Sequence, residues 1–158
     1  MTCRAIIPDR LGLFVARSPF TVDEALQTQY AIIAGDSPGL SLDTPSILDF
    51  TDFSVGDLSA SELMRFVKVR RTLVEAPTTG PLAFVCGSVA LFGMVRMFSM
   101  LAEVGGLWQE KMIHVTREAP KGIGWIVERA GLDHAQKKAV AAELKASLGW
   151  DYEVPPEL

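Results

Sequence analysis

A run of apolar residues constrains this chain more than any other feature. It covers residues 82–108, LAFVCGSVALFGMVRMFSMLAEVGGLW, in which Arg96 and Glu103 carry the formal charges. A membrane-spanning helix needs about 20 uninterrupted apolar residues, whereas this run reaches only Val95 before the arginine. The CGS tripeptide near its start is typical of a turn. We therefore predict no membrane span but two elements, a buried strand in PLAFVCG and a helix in VALFGMVRMFSMLAEVGG that ends at the glycine pair.

The predicted helix is apolar on more than one side. The residues that recur at helical spacing and would face a sheet are Leu91, Met94, Val95, Phe98, Leu101 and Ala102. Phe92, Met97 and Met100 fall on other sides, and a helix of this kind must be covered on more than one face. The cover could be a second subunit, the rest of the chain or a small apolar ligand. We favour a homodimer with Phe92, Met97 and Met100 as its candidate interface.

Strands and helices alternate along the rest of the sequence. Two short strands flank PDR near the start, and three capping boxes, TVDE, SASE and Asp133 to Gln136, predict helix starts. The order ββαβαβαβα plus a terminal helix predicts an α/β fold. Its mainly parallel sheet has about five strands, an N-terminal antiparallel hairpin at one edge, and helices packed on it. We expect one domain over residues 1–131, with the C-terminal helix and proline-containing tail of residues 132–158 packed on it.

Composition limits the classes of partner and the cellular compartment that we expect for this protein. The net charge of −4 lacks the basic footprint of a nucleic-acid-binding protein. The two cysteines, Cys3 and Cys86, are too few for a disulfide framework and indicate thiols in a reducing cytoplasm. Charged residues interrupt the apolar positions of the first 20 residues, so we expect no secretory signal peptide and a cytoplasmic protein.

Three stretches together resemble the bacterial STAS-like proteins of the SpoIIAA-like fold, a superfamily that includes the lipid-carrying CRAL-TRIO domains. The first is TVDEALQTQYAIIAGDSPGLSLDTPSILDFTDFS, a helix, a Pro-Gly loop and a strand. The second is DLSASELMRFVKVRR, a capped helix, and the third is LAFVCGSVALFGMVRMFSMLAE, a strand, loop and apolar helix. The resemblance covers roughly residues 4–131 and implies a SpoIIAA-like fold.

The resemblance also implies a role and one candidate residue. STAS domains commonly act as regulatory interaction modules, and in the anti-sigma-factor antagonists a serine at a helix start is phosphorylated. The family's phosphosite is similar to DSSG, whereas the matching place here is DLSA, from Asp57 to Ala60. Ser59 remains, but the following glycine is missing. Ser59 is therefore both a candidate helix cap and a candidate phosphosite.

Other candidate sites carry weaker signals. The loop of Gly87 and Ser88 opens a helix after a parallel strand, and with Arg96 further on it forms a candidate ligand loop. Arg96 could bind an anionic head group, pair with a carboxylate such as Glu103 or Asp52, or lie along the surface with its guanidinium in water. The loop has neither GxGxxG nor a phosphate-loop lysine. Cys86 and His114 lie on neighbouring predicted strands, without local signs of activation. We expect no catalytic residue, metal site or cofactor.

The basic segment RFVKVRR contributes one more pattern. Helical spacing places Arg65, Lys68 and Arg71 on one side of the helix, whereas Arg70 points elsewhere. The stripe is typical of a solvated face, with an acidic partner as the alternative.

These observations favour a non-enzymatic STAS-like regulatory or protein-interaction module that works as a homodimer. The alternative is a carrier or sensor of a small apolar or amphipathic, lipid-like ligand. It is favoured by the methionine-rich helix, since methionine lines adaptable surfaces, and by the CRAL-TRIO side of the resemblance.

Overall fold

In the computed structural model, the described part of the chain comprises residues 1–54, 56, 58–73 and 80–157. Strands and helices alternate through it, and a 3₁₀ turn at Glu110–Met112 precedes the last strand. The strands are β1 (Thr2–Ile7), β2 (Leu11–Val15), β3 (Ser46–Phe50), β4 (Leu82–Cys86) and β5 (Ile113–Thr116). The helices are α1 (Val22–Ala34), α2 (Ala60–Leu73), α3 (Val89–Val104), α4 (Ala119–Arg129) and α5 (His134–Leu148).

The five strands form one mixed sheet in sequential order, β1-β2-β3-β4-β5. The pair β1–β2 is antiparallel, and the remaining pairs are parallel. Parallel neighbours require crossover connections, which α1, α2 and α3 supply with their loops. The predicted α/β fold, its antiparallel N-terminal hairpin and its additional C-terminal helix are confirmed.

Helices cover both faces of the sheet. Along β4, Phe84 and Cys86 point into one cluster with residues of α1, α2 and α3. The alternate residues Ala83 and Val85 point into a second cluster with residues of α4 and α5. Because side chains alternate across a strand, β4 contributes to both layers at once. The fold therefore has three helices on one face and two on the other.

Local capping explains where several helices begin. Thr21 and Glu24 form the predicted capping box at the start of α1, and Asp133 and Gln136 form the one at α5. Each pair satisfies backbone N–H groups that have no partner inside the helix. At the other end of α1, Gly35 has a φ of 82°, a left-handed conformation that glycine adopts without steric cost.

The apolar run divides as the sequence predicts, into β4 and α3 separated by Gly87 and Ser88. The 16 residues of α3 span about 24 Å, which is shorter than the roughly 30 Å hydrocarbon core of a bilayer. None of the helices in the described residues is both long and apolar enough to cross a membrane.

One strand is shorter than predicted. The sequence SILDFTDFS suggests a strand through Ser54, but β3 ends at Phe50. The backbone N–H and the hydroxyl of Thr51 both donate to Oδ1 of Asp49, at 3.0 and 2.6 Å. These bonds stabilise a turn immediately after the strand, and Phe53 then packs into the cluster beside Phe20.

Candidate functional site

A pocket lies between the sheet and the helices α1, α2 and α3. Its empty space is about 930 Å³, a figure that includes the part open to solvent. Residues of β2, β3 and β4 form its floor, and residues of the three helices form its walls. Concave sites with a mainly apolar lining and a few polar groups are typical of small-molecule binding.

Aromatic side chains make up much of the lining. On the floor, the rings of Phe50 and Phe84 pack edge to face with centroids 5.5 Å apart. On the wall, the ring of Phe98 packs against Trp108 at 5.8 Å. Rings held in such contacts give the pocket a rigid apolar surface. Met94 of α3 adds a flexible side chain to the same lining.

Among the described residues that line the pocket, Arg70 is the one with a charged side chain. It lies on the last turns of α2 and is only 4% exposed. Its Cζ is 5.6 Å from the centroid of the Trp108 ring, within the range of a cation–π contact. Desolvation lowers the pKa of Arg70 from 12.5 to about 10, so the guanidinium still carries its charge at neutral pH.

One donor of the Arg70 guanidinium lacks a partner among the described residues. This donor is Nε, and the nearby indole nitrogen of Trp108 has no hydrogen-bond partner there either. The arginines that form ion pairs within the described ranges are Arg4, Arg17 and Arg65. Buried donors without acceptors are costly and uncommon, so these two donors mark the polar part of the pocket.

The other polar groups of the pocket are largely engaged with each other. The hydroxyl of Ser46 donates to the carbonyl oxygen of Thr44 at 2.9 Å, and Oγ1 of Thr44 accepts from the backbone N–H of Ser41 at 2.9 Å. Gln29 of α1 is 9% exposed and also lines the pocket. The described lining therefore combines an apolar interior with a few polar groups and the charged side chain of Arg70.

The candidate ligand loop lies elsewhere, at the carboxyl ends of the parallel strands. The hydroxyl of Ser88 accepts from the backbone N–H of Leu91 at 3.1 Å and caps α3. A Cβ on Gly87 would lie 2.0 Å from the carbonyl oxygen of Thr51, so this glycine permits close backbone packing. Arg96 is exposed and follows Ser88 by eight residues, about 12 Å along the helix axis.

Two acidic residues meet at this same edge of the sheet. In an extended strand Asp49 and Asp52 would face opposite ways, but the turn after Phe50 brings both carboxylates to Arg17. Nη1 of Arg17 is 2.9 Å from Oδ2 of Asp49, and Nε is 3.4 Å from Oδ2 of Asp52. One arginine thus pairs with two carboxylates in this cluster.

Ser59 forms the predicted capping box at the start of α2. Its hydroxyl accepts from the backbone N–H of Glu62 at 3.3 Å, and its own N–H donates to Oε2 of Glu62 at 3.0 Å. The side chain is exposed. Asp57, which belongs to the DLSA motif, lies outside the described residues.

The three candidate interface residues of α3 differ in exposure. Met97 and Met100 are 41% and 63% exposed. Phe92 is partly buried and packs against the cluster formed with α1 and α2. Val89 and Val104, at 67% and 89% exposed, extend the methionine surface along the helix.

Cys86 and His114 do not form a catalytic pair. Cys86 points toward α3, whereas His114 stacks on Trp125 of α4, on the opposite face of the sheet. Burial raises the pKa of the Cys86 thiol to about 12, which disfavours the thiolate. Across the described residues, no group of three or more His, Cys, Asp or Glu side chains could hold a metal ion.

Arg70 and Trp108 are site residues that the sequence did not predict. A signal for Arg70 existed, since it follows Leu63 by seven residues and Val67 by three and so continues the buried face of α2. Trp108 gave no comparable signal, because it lies beyond α3 and reaches Arg70 through the tertiary fold.

The architecture and pocket define an α/β protein with a mainly apolar internal site. Comparisons with family models, curated proteins and solved structures give no significant match for this chain.

Proposed function

We propose that this protein binds a small apolar or amphipathic ligand in the pocket between the sheet and helices α1, α2 and α3, and acts as its carrier or sensor. The observation that carries the proposal is the pocket itself, a cavity of about 110 Å³ with an apolar and largely aromatic lining. Burying an apolar ligand there would remove its surface from water and complete the packing around it.

The rest of the site supports binding more than catalysis. Its described polar residues include no carboxylate, histidine or cysteine, so the lining supplies no evident general base or nucleophile. A carrier or sensor needs only shape, apolar contact and a few orienting groups, and the pocket has each of these.

The first test is native mass spectrometry of freshly purified protein, followed by titration with the uncharged dye Nile red and with decanol. A ligand that binds only the folded state raises the melting temperature. We expect a co-purified mass of small-molecule size, or a saturable dye signal that decanol displaces. Absence of both would contradict the proposal.

A filled pocket provides the matched control. Ala25 on α1 lines the pocket and is 8% exposed, so Ala25→Leu adds volume inside it. Ala34→Leu makes the same change at an exposed position of the same helix. Ala25→Leu should weaken dye binding by about tenfold or more, equivalent to about 1.4 kcal/mol, while Ala34→Leu leaves it unchanged.

A STAS-like regulatory module that forms homodimers is the second candidate function. It is favoured by the exposed apolar surface of α3, formed by Val89, Met97, Met100 and Val104. Exposed apolar patches often mark association surfaces, and a second copy of the chain would cover this one. Within this proposal, Ser59 is the residue whose phosphorylation would regulate binding of a protein partner.

We also propose that the protein works in the cytoplasm. Cys3 and Cys86 are both free thiols, and Cys86 is buried. Unpaired cysteines are common in reducing compartments.

A further inference from the structure

The inference concerns the chemistry of the ligand, and it rests on the proposed function. Arg70 is a cation enclosed by apolar and aromatic side chains, and 4% of its surface is exposed. Arginine is almost never fully buried unless it is paired, because removing its charge from water is costly. Within the described ranges, no carboxylate forms an ion pair with it. The pocket thus contains a positive charge without a described counter-charge.

Two donors define where a counter-charge would bind. Nε of Arg70 and Nε1 of Trp108 both lack acceptors, and both residues line the pocket. The guanidinium and the indole ring are in contact, with 5.6 Å between Cζ and the ring centroid. An anionic group beside them would accept charge-assisted hydrogen bonds, which are stronger than neutral ones.

We propose that the pocket binds an acidic amphiphile, an aliphatic chain with a single carboxylate, and that Arg70 pairs with the carboxylate while the chain lies among the aromatic side chains. Trp108 lies beside the head group and offers its indole N–H as a second donor.

The charge balance favours a carboxylate over a phosphate. A phosphate monoester carries about 1.5–2 negative charges near neutral pH and needs several donors. The described lining has a single charged side chain, Arg70, which matches a monoanion. A cationic head group would be repelled by the guanidinium, and an uncharged one would leave that charge uncompensated.

The test compares three head groups on the same chain: decanoate, decanol and decylamine. Each competes with Nile red for the pocket of the full-length protein at constant ionic strength. Wild-type protein should bind decanoate at least about tenfold more tightly than decanol. This ratio corresponds to the usual contribution of a hydrogen bond to a charged group. Decylamine should bind more weakly than decanol.

Three variants assign this preference to one side chain. Arg70→Met keeps an unbranched apolar stem but removes the guanidinium and its charge, and should abolish the preference for decanoate while retaining decanol binding. Arg71→Met removes the charge next to it, at an exposed position, and should leave the preference unchanged. Arg70→Lys keeps a charge without the planar fork and should retain part of the preference, which guards against a folding defect in Arg70→Met.

The outcomes separate this inference from the proposed function. If decanol and decanoate displace the dye equally well from wild-type protein, the pocket binds amphiphiles but the role of Arg70 is wrong. If Arg70→Met is folded and still prefers decanoate, the inference is also wrong. If neither decanol nor the dye binds, the proposed function fails, and the inference fails with it.

Discussion

Nη1 of Arg17 lies 2.9 Å from Oδ2 of Asp49, a carboxylate whose side chain is 1% exposed. Arg17 follows β2 and Asp49 belongs to β3, so this ion pair joins the carboxyl ends of two parallel strands. The other oxygen of Asp49 accepts from Thr51. Removing one partner of a buried pair is strongly destabilising, because it leaves the remaining charge without compensation.

We therefore expect Arg17→Met to lower the free energy of unfolding by about 1–3 kcal/mol. The value is below that of a fully buried pair because the side chain of Arg17 is 42% exposed, and water can reach it. Chemical denaturation measures the loss. Arg4→Met breaks the exposed pair with Glu143 and should cost less than about 1 kcal/mol. The double variant Arg17→Met, Asp49→Asn should recover part of the loss, and additive effects would contradict the coupling.

The surroundings of His114 indicate how the stability of the protein responds to acid. Its ring stacks on Trp125 with centroids 5.3 Å apart, and the guanidinium of Arg129 lies 4.2 Å from the centroid of the Trp125 ring. Burial, and then the charge of Arg129, lower the pKa of His114 from its ordinary value of 6.5. The unfolded state therefore binds a proton more readily than the folded state.

The resulting loss in the free energy of unfolding is absent above the pKa of His114 in the unfolded state. It grows as the pH falls below 6.5 toward the lower pKa of the folded state. Between neutral pH and about pH 5, we expect the melting temperature of His114→Phe to fall less than that of the wild-type protein. Arg129→Met should raise the pKa of His114, which NMR titration of the imidazole measures directly. An unchanged titration would show that Arg129 does not contribute.

Local rules predicted the helix starts well, because their causes lie within four residues. The pairs Thr21 with Glu24 and Asp133 with Gln136 form their boxes from side chains and N–H groups of the same turn. The end of β3 was mispredicted, although its cause is also local. Its turn depends on the carboxylate of Asp49, which the apolar residues that suggested the strand, Ile47, Leu48, Phe50 and Phe53, do not reveal.

Two glycines in one region should respond oppositely to a methyl group. Gly87→Ala would place Cβ 2.0 Å from the carbonyl oxygen of Thr51, so the backbone must move. We expect a loss of about 1–3 kcal/mol in the free energy of unfolding. Gly93→Ala lies within α3 with no atom inside 4 Å of the added Cβ, and should stabilise by about 0.5–1 kcal/mol. Equal effects of the two changes would contradict the close approach at Gly87.

The capping box of Ser59 separates a structural role from a regulatory one. Ser59→Ala removes the acceptor for the N–H of Glu62 and should cost about 0.5–2 kcal/mol. Ser59→Asp retains a capping oxygen and adds a negative charge at a helix N-terminus, so its melting temperature should stay close to wild type. A large loss of stability in Ser59→Asp would exclude it as a phosphomimetic for testing partner binding.

The second candidate function predicts a change in mass. If α3 forms the homodimer interface, Met97→Glu with Met100→Glu should convert a dimer into a folded monomer, because charges would be buried against apolar surface. Analytical ultracentrifugation measures the mass and circular dichroism checks the fold. Ile33→Glu, at a 51% exposed position on α1, is the matched control and should leave the dimer intact. A wild-type monomer at high concentration would remove this candidate.

The pocket lay beyond sequence reasoning for a physical reason. Periodicity identifies the buried face of α2, including Leu63, Val67 and Arg70, but not the distance between that face and the sheet. That distance depends on how α1, α2 and α3 sit together over the strands. The exposed side of α3 was easier to predict from the sequence, because helical spacing places Met97 and Met100 away from Leu91 and Phe98.

The two faces of the sheet differ in how readily they would accommodate evolutionary change. On the face covered by α4 and α5, Ile47, Ile123 and Leu144 are fully buried, and truncating one to alanine would cost about 2–5 kcal/mol. On the other face, a position such as Ala25 borders space that a larger side chain can enter. A descendant of this protein could therefore alter the size and shape of what it binds through single substitutions there, while the opposite layer keeps the fold stable.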